Sequence, residues 1–521
     1  MRMTNKIMQN NSLYNINNNK VLQDKLSTQM STQKKVTRPS DDPVVAIRAL
    51  RLRNDVSQIS QYYEKNAPDA ESWLKVTGDA LNTTSEIITS LLKEINKGSN
   101  KDLGYEDLDI ILTQMKALKD EFYSTGNVDY AGRYVFSGYR TDTTLSYTED
   151  TKQDFSITEK LGFDSIDKIN YTNIDDLKNL SDASYDPTAG LIDKSTISSE
   201  DIYRLRLSYD NLTGSPAKPV VKYVSDATTV PPTETELINP NDIETVSLTN
   251  DPSPYEQMMG PANAGKAIFI PETGELLIGK GMYADVKAKA EGKEIRVTYE
   301  KDDWKKGDMR PQHYFACQDK TNVVNYNYEK DGAGNSYIPC GNESQIMEYE
   351  VGYNQKVRVN TTAGEVFTLD VDRNIDDLER ALSEMKEIDK TVKNLKGMLE
   401  GLSEGEPGYD NLQKTYEAAT EAYDRVRENV QKLYEGLTTK VQGTLNATSV
   451  AITDNGTRSS RLDLVSNRLM TQKTTFKTLQ SENEDVDMTE VTIQLTSMGY
   501  TFQSALLATG KIMQNSLMNY I

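Results

Sequence analysis

The sequence predicts a multidomain α+β protein in which a long, antiparallel, coiled-coil-like α-helical bundle is built from the N- and C-terminal segments, with a β-rich outer domain or domains inserted between them. Three observations predict it. Apolar residues keep a 3.5-residue repeat over long stretches at both ends of the 521-residue chain. Of its 16 prolines, twelve lie in residues 138–370, and proline breaks helix interiors. The same interval carries −15 of the net charge of −20, against +1 for residues 1–137 and −6 for residues 371–521. At about 150 residues per domain the length allows three or four domains.

The first long repeat follows Asp42-Pro43. Val45, Ala49, Leu52, Val56, Ile59, Tyr63, Asn66, Ala70, Trp73, Thr77, Ala80, Thr84, Ile87 and Leu91 alternate four and three apart. Such a helix would run roughly 70 Å at 1.5 Å per residue. Ser40, Asp41 or Asp42 supplies the N-cap, Pro43 sits near the first helical position, and Pro68 predicts a kink or two abutting helices. Lys97-Gly98-Ser99-Asn100 stops it, and a second helix passes through Leu108, Ile111, Met115, Leu118 and Phe122. The C-terminal third repeats the design. One helix carries Leu378, Leu382, Met385, Val392 and Leu399; the next carries Leu412, Tyr416, Ala419, Tyr423, Val426, Val430, Leu433, Leu437 and Val441. Gly405-Glu406-Pro407-Gly408 between them permits an antiparallel hairpin.

The two chain ends are unusual. Val491, Leu495, Met498, Phe502, Ala505, Thr509, Ile512, Ser516 and Asn519 keep the heptad, yet Lys511 is the only charge after Glu490. Residues 7–19 carry no charge at all. A helix face without charge suits burial on every side. Packing against identical or related neighbours in a polymer supplies that environment, and an intramolecular pair of terminal helices is the alternative.

In the middle, Ala267-Ile268-Phe269-Ile270, a Pro271-Glu272-Thr273-Gly274 turn and Leu276-Leu277-Ile278 predict a hairpin, and residues 294–299 alternate as a strand. Residues 214–261, rich in Pro, Thr, Asp and Ser, predict a loop or extended connector. The acidic surface suits solvent exposure and repels neighbouring copies.

Several function classes are excluded or disfavoured. A net charge of −20 argues against nucleic acid as partner, and no run approaches the ~20 apolar residues of a membrane span. One histidine, His313, and two cysteines, Cys317 and Cys340, cannot build a multi-His or Cys₄ metal site or a CxxC pair. Glycine-rich nucleotide loops and the GxSxG elbow are absent, so no enzyme, cofactor or metal is expected. His313 with Cys317 four residues on is a weak candidate pair, because catalytic pairs meet from distant segments; a structural histidine is the stronger reading. Cys317 and Cys340 are either a disulfide or two buried thiols. The first twenty residues lack the apolar core of a cleaved secretory signal, which predicts either a cytoplasmic protein or an export route that removes no signal.

Four motifs carry a family resemblance. Arg38-Pro39-Ser40-Asp41-Asp42-Pro43, followed by Arg48, Leu50 and Leu52, resembles the RPSDDP segment of the hook-associated protein 3 family in the flagellin superfamily. Asn127-Val128-Asp129-Tyr130 running into Gly132-Arg133-Tyr134-Val135-Phe136-Ser137-Gly138 is similar to that family's GRYxFxG element. Val351-Gly352, Val357-Arg358-Val359-Asn360 and Gly364-Glu365-Val366-Phe367 resemble its return strand, and Leu462, Asn467, Arg468 and Leu469 with the uncharged last helix resemble the superfamily C-terminus. Flagellins usually continue the Asp-Asp pair with alanine and glycine; Pro43-Val44-Val45-Ala46 favours the junction family.

The resemblance covers residues 1–140 and 340–521 and implies a structural role at the junction of hook and filament, with no reaction. It implies export through the flagellar type III channel and, as partners, hook-associated protein 1, flagellin, an export chaperone and identical subunits in a ring. It also implies a division into residues 1–40 (an assembly helix disordered in the monomer), 41–137, 138–370, 371–489 and 490–521 (a second assembly helix). The implied assembly residues are Arg38 to Pro43, Asn127, Tyr130, Gly132, Arg133, Tyr134 and Phe136, with Val491, Leu495, Met498, Phe502 and Ile512 on the last helix. A filament flagellin, or a junction protein whose outer domain adds adhesive or enzymatic activity, are the alternatives.

Overall fold

The proline-poor ends are helical and the proline-rich middle holds the sheets, in a computed structural model that describes residues 5–178, 180, 185, 192–212, 218–226, 229, 232–326, 345–403, 406 and 408–514. In chain order, α1 (Asn5–Thr32), α2 (Pro43–Gln61), α3 (Ala67–Gly98) and α4 (Tyr105–Thr125) come first. The strands β1 (Asp129–Tyr130), β2 (Arg133–Tyr134), β3 (Thr151–Leu161), β4 (Ile166–Thr172), β5 (Ser199–Arg206), β6 (Val220–Asp226), β7 (Thr233–Ile238) and β8 (Ile243–Thr245) follow. A short α5 (Pro254–Met259) leads to β9 (Ala267–Ile270), β10 (Glu275–Ile278), α6 (Lys280–Ala290), β11 (Ile295–Trp304), β12 (Ala316–Asp319) and β13 (Val324–Tyr326). The hairpin β14 (Glu348–Gly352) and β15 (Gln355–Arg358), then α7 (Ala363–Val366), α8 (Asp370–Glu400), the 76-residue α9 (Tyr409–Glu484) and α10 (Met488–Gln514) complete it.

Two compact units result. The first comprises Met1–Glu71, Tyr349–Val357 and Ser460–Ile521; the second comprises Ser72–Glu348 and Arg358–Ser459.

In the second unit the sheets are a five-stranded one, ordered β4-β5-β10-β9-β8, and a six-stranded one, ordered β13-β12-β3-β11-β6-β7. Ile202, Val246, Ile268, Ile270 and Leu277 form an apolar core on the former. Buried charges tie that sheet to α8. Arg204 pairs with Glu275 (3.1 Å) and Asp377 (3.0 Å), Arg206 with Asp377 (2.7 Å), and Arg380 with Glu275 (2.6 Å). Along α3 the predicted heptad residues Ala70, Trp73, Thr77, Ala80, Thr84 and Leu91 are buried. Gly98 does more than stop this helix: it is itself buried, and a Cβ there would collide with the Tyr434 ring. On α8 the buried stripe is Leu378, Leu382, Met385, Ile388, Thr391 and Leu395, which leaves the expected Val392 and Leu399 half-buried. On α9, Leu433 is likewise half-buried and Tyr434 takes the interior position.

Pro68, the second residue of α3, follows directly on a π-turn, Tyr62–Asn66, that separates α2 from α3. Proline lacks the N–H for an i−4 bond and its ring crowds that carbonyl; the wider π-turn is where the helix takes up the mismatch.

Residues 214–261 correct the expectation of a loop. They contain β6, β7, β8 and α5, while part of the interval (214–217, 227, 228, 230, 231) lies outside the described residues. Val-Val-Lys-Tyr-Val and Thr-Glu-Thr-Glu-Leu-Ile alternate as strands, and the prolines bound these strands without interrupting them. The expected hairpin of β9 and β10 forms with Gly274 at positive φ in its turn. A second correction concerns the return strand: β14 and β15 pair as a hairpin, and Gly364 to Val366 then lie in α7, because Thr362 and Glu365 form a capping box that starts a helix. Gly405 and Pro407 of the α8–α9 turn, Cys340 of the possible bridge, and Ser516 and Asn519 lie outside the described residues.

Candidate assembly surfaces

The motif of residues 38–43 is a turn and a cap. The Asp41 amide donates to the Arg38 carbonyl (2.9 Å), and an Asp41 carboxylate oxygen accepts from the Arg38 amide (3.2 Å). Asp42 is the N-cap of α2: its Oδ1 accepts from the amides of Val44 (3.0 Å) and Val45 (3.1 Å), and Pro43 occupies the first turn, where no N–H is missed. Arg38, Pro39, Ser40, Asp41 and Pro43 are exposed and Asp42 is half-buried.

The connections between α1 and α2 and between α9 and α10 are laced together. The Lys35 amide donates to the Glu484 carbonyl (2.7 Å), the Val486 amide to the Gln33 carbonyl (3.1 Å), and Lys34 pairs with Asp485 (2.5 Å). Arg53 grips Glu484 with both ends of its guanidinium (2.7 and 2.6 Å), and its hydrogen bonds hold the Glu484 carboxyl below the usual carboxylate range.

From this joint α1 packs along α10. The covered positions of α10 are Val491, Leu495, Met498, Phe502, Ala505 and Thr509, the heptad predicted from sequence; nothing is described of the Ile512 side chain. Helices α1 and α10 are thus paired with each other, the arrangement left open as the alternative. Opposite them, the less exposed positions of α1 are Gln9, Ser12, Ile16, Asn19, Gln23 and Leu26, mostly polar.

Apart from Ile16 and Leu26, the large apolar side chains of α1 are exposed. Ile7, Tyr14 and Val21, seven apart, are exposed, and so are Ile493, Tyr500 and Leu507 on α10, from 48% for Ile7 to 71% for Leu507. Seven residues are close to two helical turns, so each trio forms a straight stripe. Beside the α10 stripe, the hydroxyls of Thr492, Thr496 and Thr501 donate to the carbonyls of Met488 (2.6 Å), Thr492 (2.8 Å) and Ser497 (2.9 Å). Their donors are spent on their own helix, so this charge-free face offers water only hydroxyl acceptors there. Neither outward stripe was singled out in the sequence, though the spacing of seven was visible there. In the same unit α2 has no buried residue: its heptad positions Val45, Ala49, Leu52, Val56 and Ile59 are all half-buried.

The GRYxFxG element lies in the second unit. Ala131 and Gly132, both at positive φ, turn β1 into β2, and the Arg133 guanidinium sits over the rings of Trp73 (5.0 Å) and Tyr130 (5.4 Å). Phe136 is buried edge-on against Phe367 (4.9 Å). Asn127 accepts from the Leu145 amide (2.8 Å) and donates to Ser146 (3.1 Å), and Tyr134 is half-buried. This group is an internal joint and offers mainly Gly132 and the edges of Tyr130 and Arg133 to the outside.

His313 is structural. Its Nδ1 is 3.0 Å from the Ser137 carbonyl, and its Nε2 is 3.1 Å from the Thr144 carbonyl and 3.2 Å from the Thr143 hydroxyl. Burial lowers the imidazole to about 4. Burial also pushes the Cys317 thiol well up, the reverse of an activated nucleophile. Among the described residues, no cluster of His, Cys, Asp or Glu has the geometry to hold a metal ion, and no helix is long and apolar enough to cross a membrane.

Comparison with known proteins agrees with the N-terminal motifs. Residues 3–141 match the family model of the bacterial flagellin N-terminal helical region. The chain therefore carries a flagellin-type N-terminal region. Within that class it resembles flagellar hook-associated protein 3: it is 31% identical to the proteins of that name from Salmonella typhimurium, over 143 residues, and from Escherichia coli, over 144 residues. These matches take in 27% of this chain and 45% of each relative, so the chain spans a little under half the length of the curated relatives it matches. Among solved structures, a putative flagellar hook-associated protein from Vibrio parahaemolyticus has 13% identity and a TM-score of 0.32, covering 85% of this chain and all of that one. FlgL from Xanthomonas campestris has 12% identity and a TM-score of 0.31, covering 82% and 99%.

Proposed function

We propose that the chain is a structural protein of the bacterial flagellum that forms the hook–filament junction, adapting hook-associated protein 1 to flagellin, and that its terminal helices complete their burial only against other copies. The observation that carries this reading is the orientation of α1 and α10. They meet through a seam that is mostly polar on the α1 side, while Ile7, Tyr14, Val21, Ile493, Tyr500 and Leu507 stay outside. Each such side chain contributes roughly 1.5–3 kcal/mol when fully covered, so a neighbouring helix pair gains several of these terms at once. Assembly and completion of the fold are then one event.

Asp41, Asp42 and Pro43 serve this role by launching α2, and Arg53 with Glu484 by fixing the joint from which the terminal pair projects. Export through the flagellar type III channel, with a dedicated chaperone shielding the apolar stripes, belongs to the same reading. The role is mechanical and involves no reaction.

Deleting the gene tests it. The deletion strain should keep its hooks and shed flagellin into the medium, and the intact chain supplied in trans should restore filaments. A deletion strain that retains full-length filaments would contradict the junction role.

A further inference from the structure

We propose that α2 of one copy receives α4 of a second copy, a contact that rests on the self-assembling reading above and gives it a direction. On α2, Val44, Ile47, Arg48 and Arg51 stand at i, i+3, i+4 and i+7 on one face with Leu50 beside them, and the three apolar side chains are 52% (Ile47) to 62% (Leu50) exposed. Arg48 and Arg51 are exposed and form no ion pair with the described residues of their own chain. On α4 the outward face carries Asp107, Asp109, Ile110, Thr113 and Ala117, all exposed, with Ile110 at 59%. Asp107 and Asp109 likewise form no ion pair among the described residues.

The two faces are complements. Each places an isoleucine in the open and flanks it with charges of one sign, basic on α2 and acidic on α4. Arginine forks match carboxylates in two-point geometry, and the small Thr113 and Ala117 leave room for a helix to approach. Two α2 faces cannot pair with each other without crowding four guanidiniums, nor two α4 faces without crowding four carboxylates. The contact is therefore heterologous. Because every copy carries both halves, repeating it generates a ring or a helical array. Charge across the chain runs the same way: Met1–Glu71, Tyr349–Val357 and Ser460–Ile521 together hold slightly more basic than acidic residues, and the remainder holds the whole acidic excess.

Charge reversal tests the contact. Sedimentation velocity of the full chain at low salt should show self-association weakened more than tenfold by Arg48→Glu with Arg51→Glu, and equally by Asp107→Lys with Asp109→Lys. An equimolar mixture of the two variants should recover association, because each variant's reversed face then meets the other's reversed face and the two unaltered faces still fit. Circular dichroism melting should match the wild type. If the lysine substitutions disturb the first turn of α4, Asp107→Asn with Asp109→Asn keeps the test sound, since it should weaken association without reversal. Variants that associate like the wild type, or a mixture that fails to recover, would overturn this contact alone. A wild-type chain that stays monomeric at every concentration would overturn the self-assembling reading as well.

Discussion

Through one carboxylate oxygen Asp42 satisfies two amides, those of Val44 and Val45, that the start of α2 would otherwise leave open. Asp42→Ala should cost about 1 kcal/mol of stability, and Asp42→Asn much less, measured by thermal or urea unfolding. His313 makes a second prediction at this scale. Burial disfavours the charged ring and outweighs the opposing hydrogen bonds to the Ser137 and Thr144 carbonyls, so the fold holds the ring uncharged. With a folded value of about 4 against 6.5, the native state binds fewer protons than the unfolded chain between those values. His313 therefore stabilises fully above pH 6.5, and about 3 kcal/mol is lost as pH falls through 4. Glu159 acts in the opposite sense: burial raises its carboxyl to about 7, so protonating it favours the fold as pH falls from 7 towards 4.5. Comparing wild type with His313→Gln isolates the histidine. Its stability relative to that variant should decline from pH 7 to 4, and its single ring NMR signal should titrate well below 6. The cap, the buried histidine and the glycine stop could all be read from residue type. What could not be read is that Gly98 also makes room for Tyr434, a partner more than 300 residues away.

Helix α10 has two faces with different duties, and substitutions should separate them. Phe502 faces α1, so Phe502→Ser should lower the helical content of the isolated chain. Tyr500 faces out, so Tyr500→Ser should leave that signal unchanged and weaken self-association several-fold by sedimentation. The inward heptad was legible because one seam dominates the pattern; the outward stripe shares the same period and was hidden beneath it. Strands were harder. β6 and β7 were missed because proline and threonine on either side of them imitate a connector, and the pairing of β6 with β11, which seats both strands in the sheet, is a long-range fact that no local pattern carries. At Gly364 to Phe367 the family resemblance implied a strand, while the capping box at Thr362 and Glu365 decided for a helix.

Among the described residues most of the exposed large apolar side chains lie on α1, α2, α10 and the last part of α9, with Ile110 on α4, Val324 on β13 and Val450 on α9 among the others. The proposed flagellar role follows from what would cover the side chains on α1 and α10. The most direct test is amide hydrogen exchange along residues 7–21 and 493–507, compared between dilute monomer and assembled protein. The account predicts exchange within minutes in the monomer and strong protection in the assembly. Equal, strong protection of both segments in the dilute monomer would contradict it.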